Sequence, residues 1–185
     1  RGIPSAETVA NWRKRAAQGF QFALKLPKTV THEGPLASDG ALSALRFFLE
    51  RIAPLDSALG PLLFQFPRTA QAHVEGLQRI AAVLDTQGSY RVAVEFRNRS
   101  VVADPEVTGF LRAKGWALVQ HPNTLDRATA ANADDAEMDK YPLESLADVV
   151  TADFAYVRLH GDNDAHQYCY KQEELTEYAR ALFCT

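Results

Sequence analysis

A chain of 185 residues is long enough to fold as one domain with a real hydrophobic core. With 46% hydrophobic residues, 23% charged residues and a net charge of -3, its composition is that of a globular protein and excludes a general polyanion binder. No apolar run approaches a membrane span, and the two cysteines, Cys169 and Cys184, match no metal or redox spacing, so we expect a reducing, cytoplasmic setting.

Five short apolar stretches alternate with longer segments of helical spacing. The stretches predict strands at residues 20–27, 62–66, 90–97, 116–121 and 154–159. The segments between and around them predict helices at residues 5–17, 38–52, 70–84, 104–115, 143–148 and 172–183. Ser5, Ser38 or Asp39, and Asp104 are the expected helix caps. Such alternation predicts a parallel sheet with helices outside it.

The remaining predictions concern the connections between strands and helices. Residues 29–35 and 161–170 are predicted loops, and residues 122–141, rich in Ala, Asn and Asp, are predicted to be a mobile loop over one end of the domain. The sequence has no internal repeat and no linker that would divide it. We therefore expect residues 1–185 to form one domain.

The predicted strands have one bulky apolar face and one mixed face, because side chains alternate along a strand. On the first face lie Phe22, Leu24, Leu26, Leu62, Phe64, Phe66, Val92, Val94, Phe96, Val157 and Leu159. The second face is small or mixed and becomes polar at the carboxyl end of each strand. A doubly wound sheet would be apolar on both faces, so this pattern favours an α/β fold of parallel (β/α) TIM-barrel type, with a site at the carboxyl-terminal rim.

Four motifs, spread over nearly the whole chain, resemble those of the YecE-like family, a domain of unknown function with a TIM-barrel fold. They are Phe22-Ala23-Leu24-Lys25 with Thr31-His32; Leu59-Gly60-Pro61-Leu62-Leu63-Phe64-Gln65-Phe66-Pro67; Ala93-Val94-Glu95-Phe96-Arg97 with Ser100; and Ala155-Tyr156-Val157-Arg158-Leu159-His160-Gly161 with Tyr170. The chain departs from the family in having Val101 where Trp is usual, and in lacking an acid in Val119-Gln120-His121.

The resemblance also implies a longer barrel than this sequence holds. About five of the eight strands of such a barrel are accounted for, and a five-strand arc would leave two exposed sheet edges. The first residue is Arg1 and not Met. We therefore expect that flanking segments, or a second chain, close the barrel.

The mixed face predicts a charged site at the barrel mouth. Its inward residues are Lys25, Gln65, Glu95, Arg97, Arg158 and His160, with His32 on a rim loop and Gly161 beside them. The excess of cations favours an anionic ligand such as a phosphate or a carboxylate, and we expect an anionic or phosphorylated substrate held by Lys25, Arg97 and Arg158. Glu95 would act as general base and His160 as its acid/base partner, in chemistry of hydrolase or lyase type without a cofactor. Gly161 would let backbone N–H groups approach the anion.

Two other functions fit the same residues. A network of Lys25, Glu95 and Arg158 could be purely structural, since buried charges must be paired whatever their role. The mouth could instead bind or cleave nucleic acid through Lys25, Lys28, Arg97, Arg99 and Arg158. Against that reading stand the negative net charge and the absence of a basic helix or aromatic ladder in the sequence.

A metal site is a weaker possibility. The mouth would bring together four potential ligands: Glu95, His121, His160 and Asp162. No recognised ligand spacing links them. The run Asp162-Asn163-Asp164 is like the start of a calcium loop, but Gln167 stands where the sharp turn needs glycine. We therefore predict no metal.

Overall fold

The computed structural model describes residues 3–67, 69–70, 73–96, 101, 104–120, 150–159 and 168–183. The strands are β1 (Phe22–Lys25), β2 (Leu59–Phe66), β3 (Val92–Phe96) and β4 (Ala117–Leu118). The helices are α1 (Ala6–Arg15), α2 (Lys28–Thr31), α3 (Asp39–Ile52), α4 (Val74–Gln87), α5 (Pro105–Lys114) and α6 (Gln172–Phe183), and a 3-10 helix (Ala53–Ala58) follows α3. The predicted alternation of strands and helices is confirmed.

The strands form one parallel sheet in the order β1-β2-β3-β4. Beyond β4, the segment around Val157 joins the sheet through a single parallel bridge to Gln120. Five stretches of chain therefore lie side by side in sequence order, as the α/β prediction requires. Within the described residues the sheet is open, with β1 at one edge. The predicted strand at 154–159 is reduced to this one bridge.

A threonine hydroxyl explains why β4 has so little strand pairing on the side away from β3. Thr151 is buried; its Oγ1 donates to the carbonyl oxygen of Trp116 at 2.6 Å and accepts from the N–H of Leu118 at 2.8 Å. These are backbone groups that a neighbouring strand would otherwise satisfy. The side chain thus takes the place of strand pairing and fixes where the following segment, which carries Arg158, meets the sheet.

We expect Thr151→Val to lower the free energy of unfolding by about 1–3 kcal/mol, because valine keeps the shape but leaves two buried backbone groups without this partner. Urea denaturation measures the change. Thr86→Val is the matched control, since the exposed Thr86 hydroxyl bonds the Val83 carbonyl within its own helix and its loss should cost about 0.5 kcal/mol or less. Equal effects of the two substitutions would contradict the role given to Thr151.

Local signals set most helix ends. The side chains of Ser5, Ser38 and Asp104 cap α1, α3 and α5, so the alternative cap Asp39 is the first residue inside α3. Gly88 and Gly115 end α4 and α5; Gly115 lies in the left-handed region at φ 63°, where glycine is favoured. The carboxylate of Glu174, in the first turn of α6, accepts from the Tyr168 hydroxyl and from the Lys171 N–H, which together lower the pKa of Glu174.

Two helix predictions are wrong in detail. α4 begins at Val74, with His73 as its cap residue, and not at residue 70. The predicted loop at 29–35 contains the short helix α2, which starts directly after Pro27 fixes an extended backbone. The predictions for residues 122–141, 143–148 and 161–167 lie outside the described residues.

The main core lies between the helices and one face of the sheet, which we call the outer face. It contains buried residues of α3, α4 and α5 together with Leu26, Leu62, Phe64, Phe66, Val92, Val94, Phe96 and Leu118. Phe64 stacks on Trp116 with ring centroids 6.4 Å apart, which links β2 to the entry of β4. Val101, the departure from the family motif, is also buried there. The predicted apolar face of β1 to β3 is confirmed. No helix within the described ranges is long and apolar enough to cross a membrane.

Candidate functional site on the inner face of the sheet

The opposite face of the sheet, which we call the inner face, carries a much smaller apolar cluster. Leu63, Ala93 and Val119 are buried in it, and Tyr156 packs against them. These residues alternate with the outer-face residues of the same strands, so the two predicted faces are confirmed. With Val119 on the inner face, alternation places Gln120 on the outer face, where its side-chain amide donates to the Leu118 carbonyl oxygen at 3.3 Å.

Polar side chains take over on the inner face where β1, β2 and β3 end. Gln65 of β2 lies opposite Glu95 of β3 in the register, and the two residues are only 4% and 1% exposed. Lys25, the last residue of β1, is exposed at the sheet edge and donates from its amino group to Oε1 of Gln65. Three adjacent strands thus present a cation, an amide and a carboxylate in one row.

Arg158 completes this row from the segment beyond β4. Its Nη1 donates to Oε2 of Glu95 in an ion pair whose side chains are 25% and 1% exposed. Its backbone N–H donates to the Gln120 carbonyl oxygen at 2.9 Å, which anchors it next to β4. The guanidinium therefore passes over β4 to reach β3, which requires both side chains to lie on the inner face. We call Lys25, Gln65, Glu95 and Arg158 the charged layer.

The electrostatics of the charged layer follow from this pairing. A carboxylate as buried as that of Glu95 is stable only with a cation and hydrogen bonds around it, and Arg158 supplies both. The charged layer contains two cations and one carboxylate, so it carries one formal positive charge in excess. Lys25 and Arg158 are the more accessible members, and Glu95 lies beneath them. A ligand entering from the carboxyl ends of the strands would meet positive charge first.

The structure brings together four of the eight residues predicted for the site. These are the members of the charged layer. A fifth, His32, lies on the connection after α2, where its Nδ1 is 2.7 Å from Oγ1 of Thr31. Arg97, His160 and Gly161 lie outside the described residues, so their predicted roles stay predictions. Among the residues that the structure describes, no group of three His, Cys, Asp or Glu side chains is placed to hold a metal ion.

Sequence reasoning missed a cavity of about 420 Å³ at the same end of the sheet, lined in part by Thr69, His73 and Arg79. The cause is the misplaced start of α4. A helix from residue 70 would place His73 in a helical turn, whereas Thr69 and His73 both lie on the connection before Val74. The signal that could have found this cavity is the set of polar residues between Pro67, which closes β2, and the apolar spacing that starts at Val74.

Comparison with known proteins identifies the family of this chain. The family model described as "Protein of unknown function DUF72" matches residues 2–183. The chain belongs to the DUF72 family. The YecE-like motifs identified in the sequence point to this same family. Its description assigns no activity, so membership establishes the kind of fold and not a reaction.

A curated DUF72-type relative covers part of the chain. The UPF0759 protein YunF of Bacillus subtilis is 27% identical over 121 residues, which is 62% of this chain and 43% of YunF. The chain thus matches less than half the length of this relative.

Solved DUF72 structures share the fold. A DUF72 family protein of Enterococcus faecalis V583 aligns with all of this chain and 70% of its own, at 22% identity and a TM-score of 0.69. One from Thermotoga maritima MSB8 aligns with 98% of this chain and 68% of its own, at 23% identity and a TM-score of 0.66. At such identities the likeness supports the barrel-type α/β architecture alone.

Proposed function

We propose that this DUF72 protein is an enzyme acting on an anionic, phosphorylated substrate at the carboxyl ends of its parallel strands. The observation that supports this most directly is the charged layer, in which the buried Glu95 lies beneath Lys25 and Arg158. An excess of cation in a partly desolvated site favours anion binding. In parallel barrels the catalytic groups also lie at the carboxyl ends of the strands.

The roles follow from the chemistry of each side chain. Lys25 and Arg158 hold the anion together with Arg97, and Gln65 and His32 contact the substrate. Glu95 is the general base, and His160 is its acid/base partner in a reaction of hydrolase or lyase type. Gly161 allows close approach of backbone N–H groups to the anion.

A non-catalytic scaffold is the second candidate. The burial of Glu95 favours it, because a carboxylate at 1% exposure and paired with Arg158 also holds strands together. As partners we propose a small anionic ligand and, for the barrel as a whole, flanking segments or a second chain. We also propose a cytoplasmic location, since Cys169 is an exposed free thiol, which suits a reducing compartment.

The proposal predicts that phosphorylated metabolites raise the melting temperature and that Lys25→Met weakens their binding about 10- to 100-fold, the range for losing one charge-assisted hydrogen bond. Isothermal titration measures the affinity. Once a substrate is found, Glu95→Gln should lower kcat about 100-fold or more, because glutamine keeps the shape but cannot accept the proton.

Lys114→Met is the matched control. Lys114 is an exposed lysine at the end of α5, paired with Asp85 at 2.8 Å, and it leads into the amino end of β4. Its loss should leave binding unchanged. Equal weakening by both lysine variants would show a nonspecific charge effect. Binding of short oligonucleotides with a steep salt dependence would favour nucleic acid instead. A folded protein that binds neither class would favour the scaffold.

A further inference from the structure

The cavity at the carboxyl end of the sheet is formed by two connections that follow neighbouring strands. Thr31 and His32 come from the connection after β1, and Pro67, Thr69 and His73 come from the connection after β2. β1 and β2 are the strands that carry Lys25 and Gln65, so the cavity and the charged layer open at the same end of the sheet. Its volume of about 420 Å³ is in the range of small-molecule sites.

One wall of the cavity is held in place by a hydrogen-bonded threonine. Thr31 is 7% exposed, and its Oγ1 lies 2.7 Å from Nδ1 of His32 and 3.5 Å from the Pro27 carbonyl oxygen. These contacts fix the orientation of the imidazole. A polar group whose rotamer is fixed in advance costs less entropy to engage with a ligand.

The opposite wall is the first turns of α4. Glu75, Gly76 and Arg79 line it. A Cβ on Gly76 would stand 2.7 Å from Cδ2 of Leu36, so glycine is what allows this leucine to pack against the helix and form an apolar part of the lining. Arg79 donates from Nη2 to Oδ1 of Asp39 at 2.6 Å, which ties α4 to the start of α3. Both walls are therefore attached to fixed elements.

The lining of the cavity suits hydroxyl groups better than an anion. Arg79 is already paired with Asp39, so it adds no free positive charge to the lining, and the carboxylate of Glu75 in the wall disfavours a phosphate. Imidazoles, threonine hydroxyls, a carboxylate and a guanidinium together offer both acceptors and donors. A sugar or polyol presents the same mixture, since each hydroxyl donates and accepts. The charged layer has the opposite character, with cation in excess.

We infer that the cavity binds the polyhydroxylated portion of a substrate whose phosphate lies at the charged layer, so the substrate class is a sugar or polyol phosphate. This inference rests on the proposed function, which supplies the phosphate site. It adds His73 and Glu75 to His32 as specificity determinants that contact hydroxyl groups. Binding energy from such a non-reacting portion orients the reacting group.

Isothermal titration of pentose and hexose phosphates, the free sugars and inorganic phosphate tests the inference. We expect at least one sugar phosphate to bind about 10-fold or more tightly than inorganic phosphate. His73→Ala should weaken that sugar phosphate about 3- to 10-fold, the range for losing one neutral hydrogen bond, and Glu75→Gln by a similar factor, because glutamine loses the charge but keeps an acceptor oxygen. Both variants should leave inorganic phosphate unchanged. Glu50→Gln, on the exposed side of α3, is the matched control and should change neither.

The outcomes separate the inference from the proposed function. If the cavity variants weaken inorganic phosphate as much as sugar phosphates, the cavity holds the anion and the inference is overturned. If sugar phosphates bind no more tightly than inorganic phosphate, it is also overturned while the proposed function stands. If free sugars bind in the cavity but Lys25→Met affects no phosphate, the proposed function fails. Absence of binding by every probe overturns both.

Discussion

Arg158→Met is expected to lower the free energy of unfolding by about 3–5 kcal/mol. The substitution keeps most of the side-chain volume but removes the cation that faces Glu95, and the carboxylate left behind is 1% exposed. A buried charge without its counter-ion costs far more than a lost surface pair. Urea denaturation of the two proteins gives the difference. The variant should still fold, since natural domains have a total stability of about 5–15 kcal/mol.

Glu95→Gln should cost less than Arg158→Met, about 1–3 kcal/mol. Glutamine keeps an oxygen that can accept from Arg158, and that guanidinium is already 25% exposed to water. The loss of unfolding free energy in the double variant should therefore be smaller than the sum of the two single losses. We expect the difference, which is the coupling free energy, to be about 1–3 kcal/mol. Losses that add to within about 0.5 kcal/mol would mean that the two side chains act independently. That result would contradict the pairing as described.

The alternation of side chains made the two faces of the sheet predictable. Side-chain alternation alone placed four residues on one face, because successive side chains point to opposite faces wherever the backbone is extended. They are Lys25, Gln65, Glu95 and Arg158. The helix caps Ser5 and Asp104 were predictable for a similar reason. Each cap depends on a hydrogen bond to a residue two or three positions away, as Ser5 shows with Thr8.

Other features depend on residues far apart in the chain, and these features could not be predicted from the sequence. That Arg158 reaches Glu95 from beyond β4 follows from where the last segment meets β4. That meeting point depends in turn on the Thr151 hydroxyl, 33 residues from Leu118. The alternation of side chains along a strand predicts which of them share a face. Strand register and the distance between segments decide which of them are in contact.

The cavity was missed for a more local reason. Apolar spacing alone extends α4 back to residue 70, but the helix begins at Val74, after a cap residue, His73, whose side chain makes no capping bond. Without a Ser, Thr, Asp or Asn cap signal, the start of a helix is poorly specified in sequence. Residues 70–73 decide whether His73 lies in a helix or lines a connection together with Thr69, and so whether a binding cavity is expected.

Phe64→Ala is expected to destabilise the protein by about 3–5 kcal/mol, through lost burial and the cavity left behind. Phe64 is buried on the outer face, where its ring stacks on Trp116 and lies 6.3 Å from the ring of Phe66. It is the neighbour of Gln65 in β2, but its side chain lies on the other face of the sheet. The substitution should therefore reduce stability and leave ligand affinity of the folded protein unchanged.

Phe47→Ala is the matched control for Phe64→Ala. Phe47 is 44% exposed on α3, and its main contact is the guanidinium of Arg51, 4.6 Å from the ring centroid. Its loss should cost about 1 kcal/mol or less. Urea denaturation compares stabilities, and titration with any ligand found for the charged layer compares affinities. If Phe64→Ala weakened ligand binding as much as Lys25→Met, the outer and inner faces would not have separate roles in stability and binding. The outer face would then serve function as well as stability, since a change there would reach the charged layer through β2.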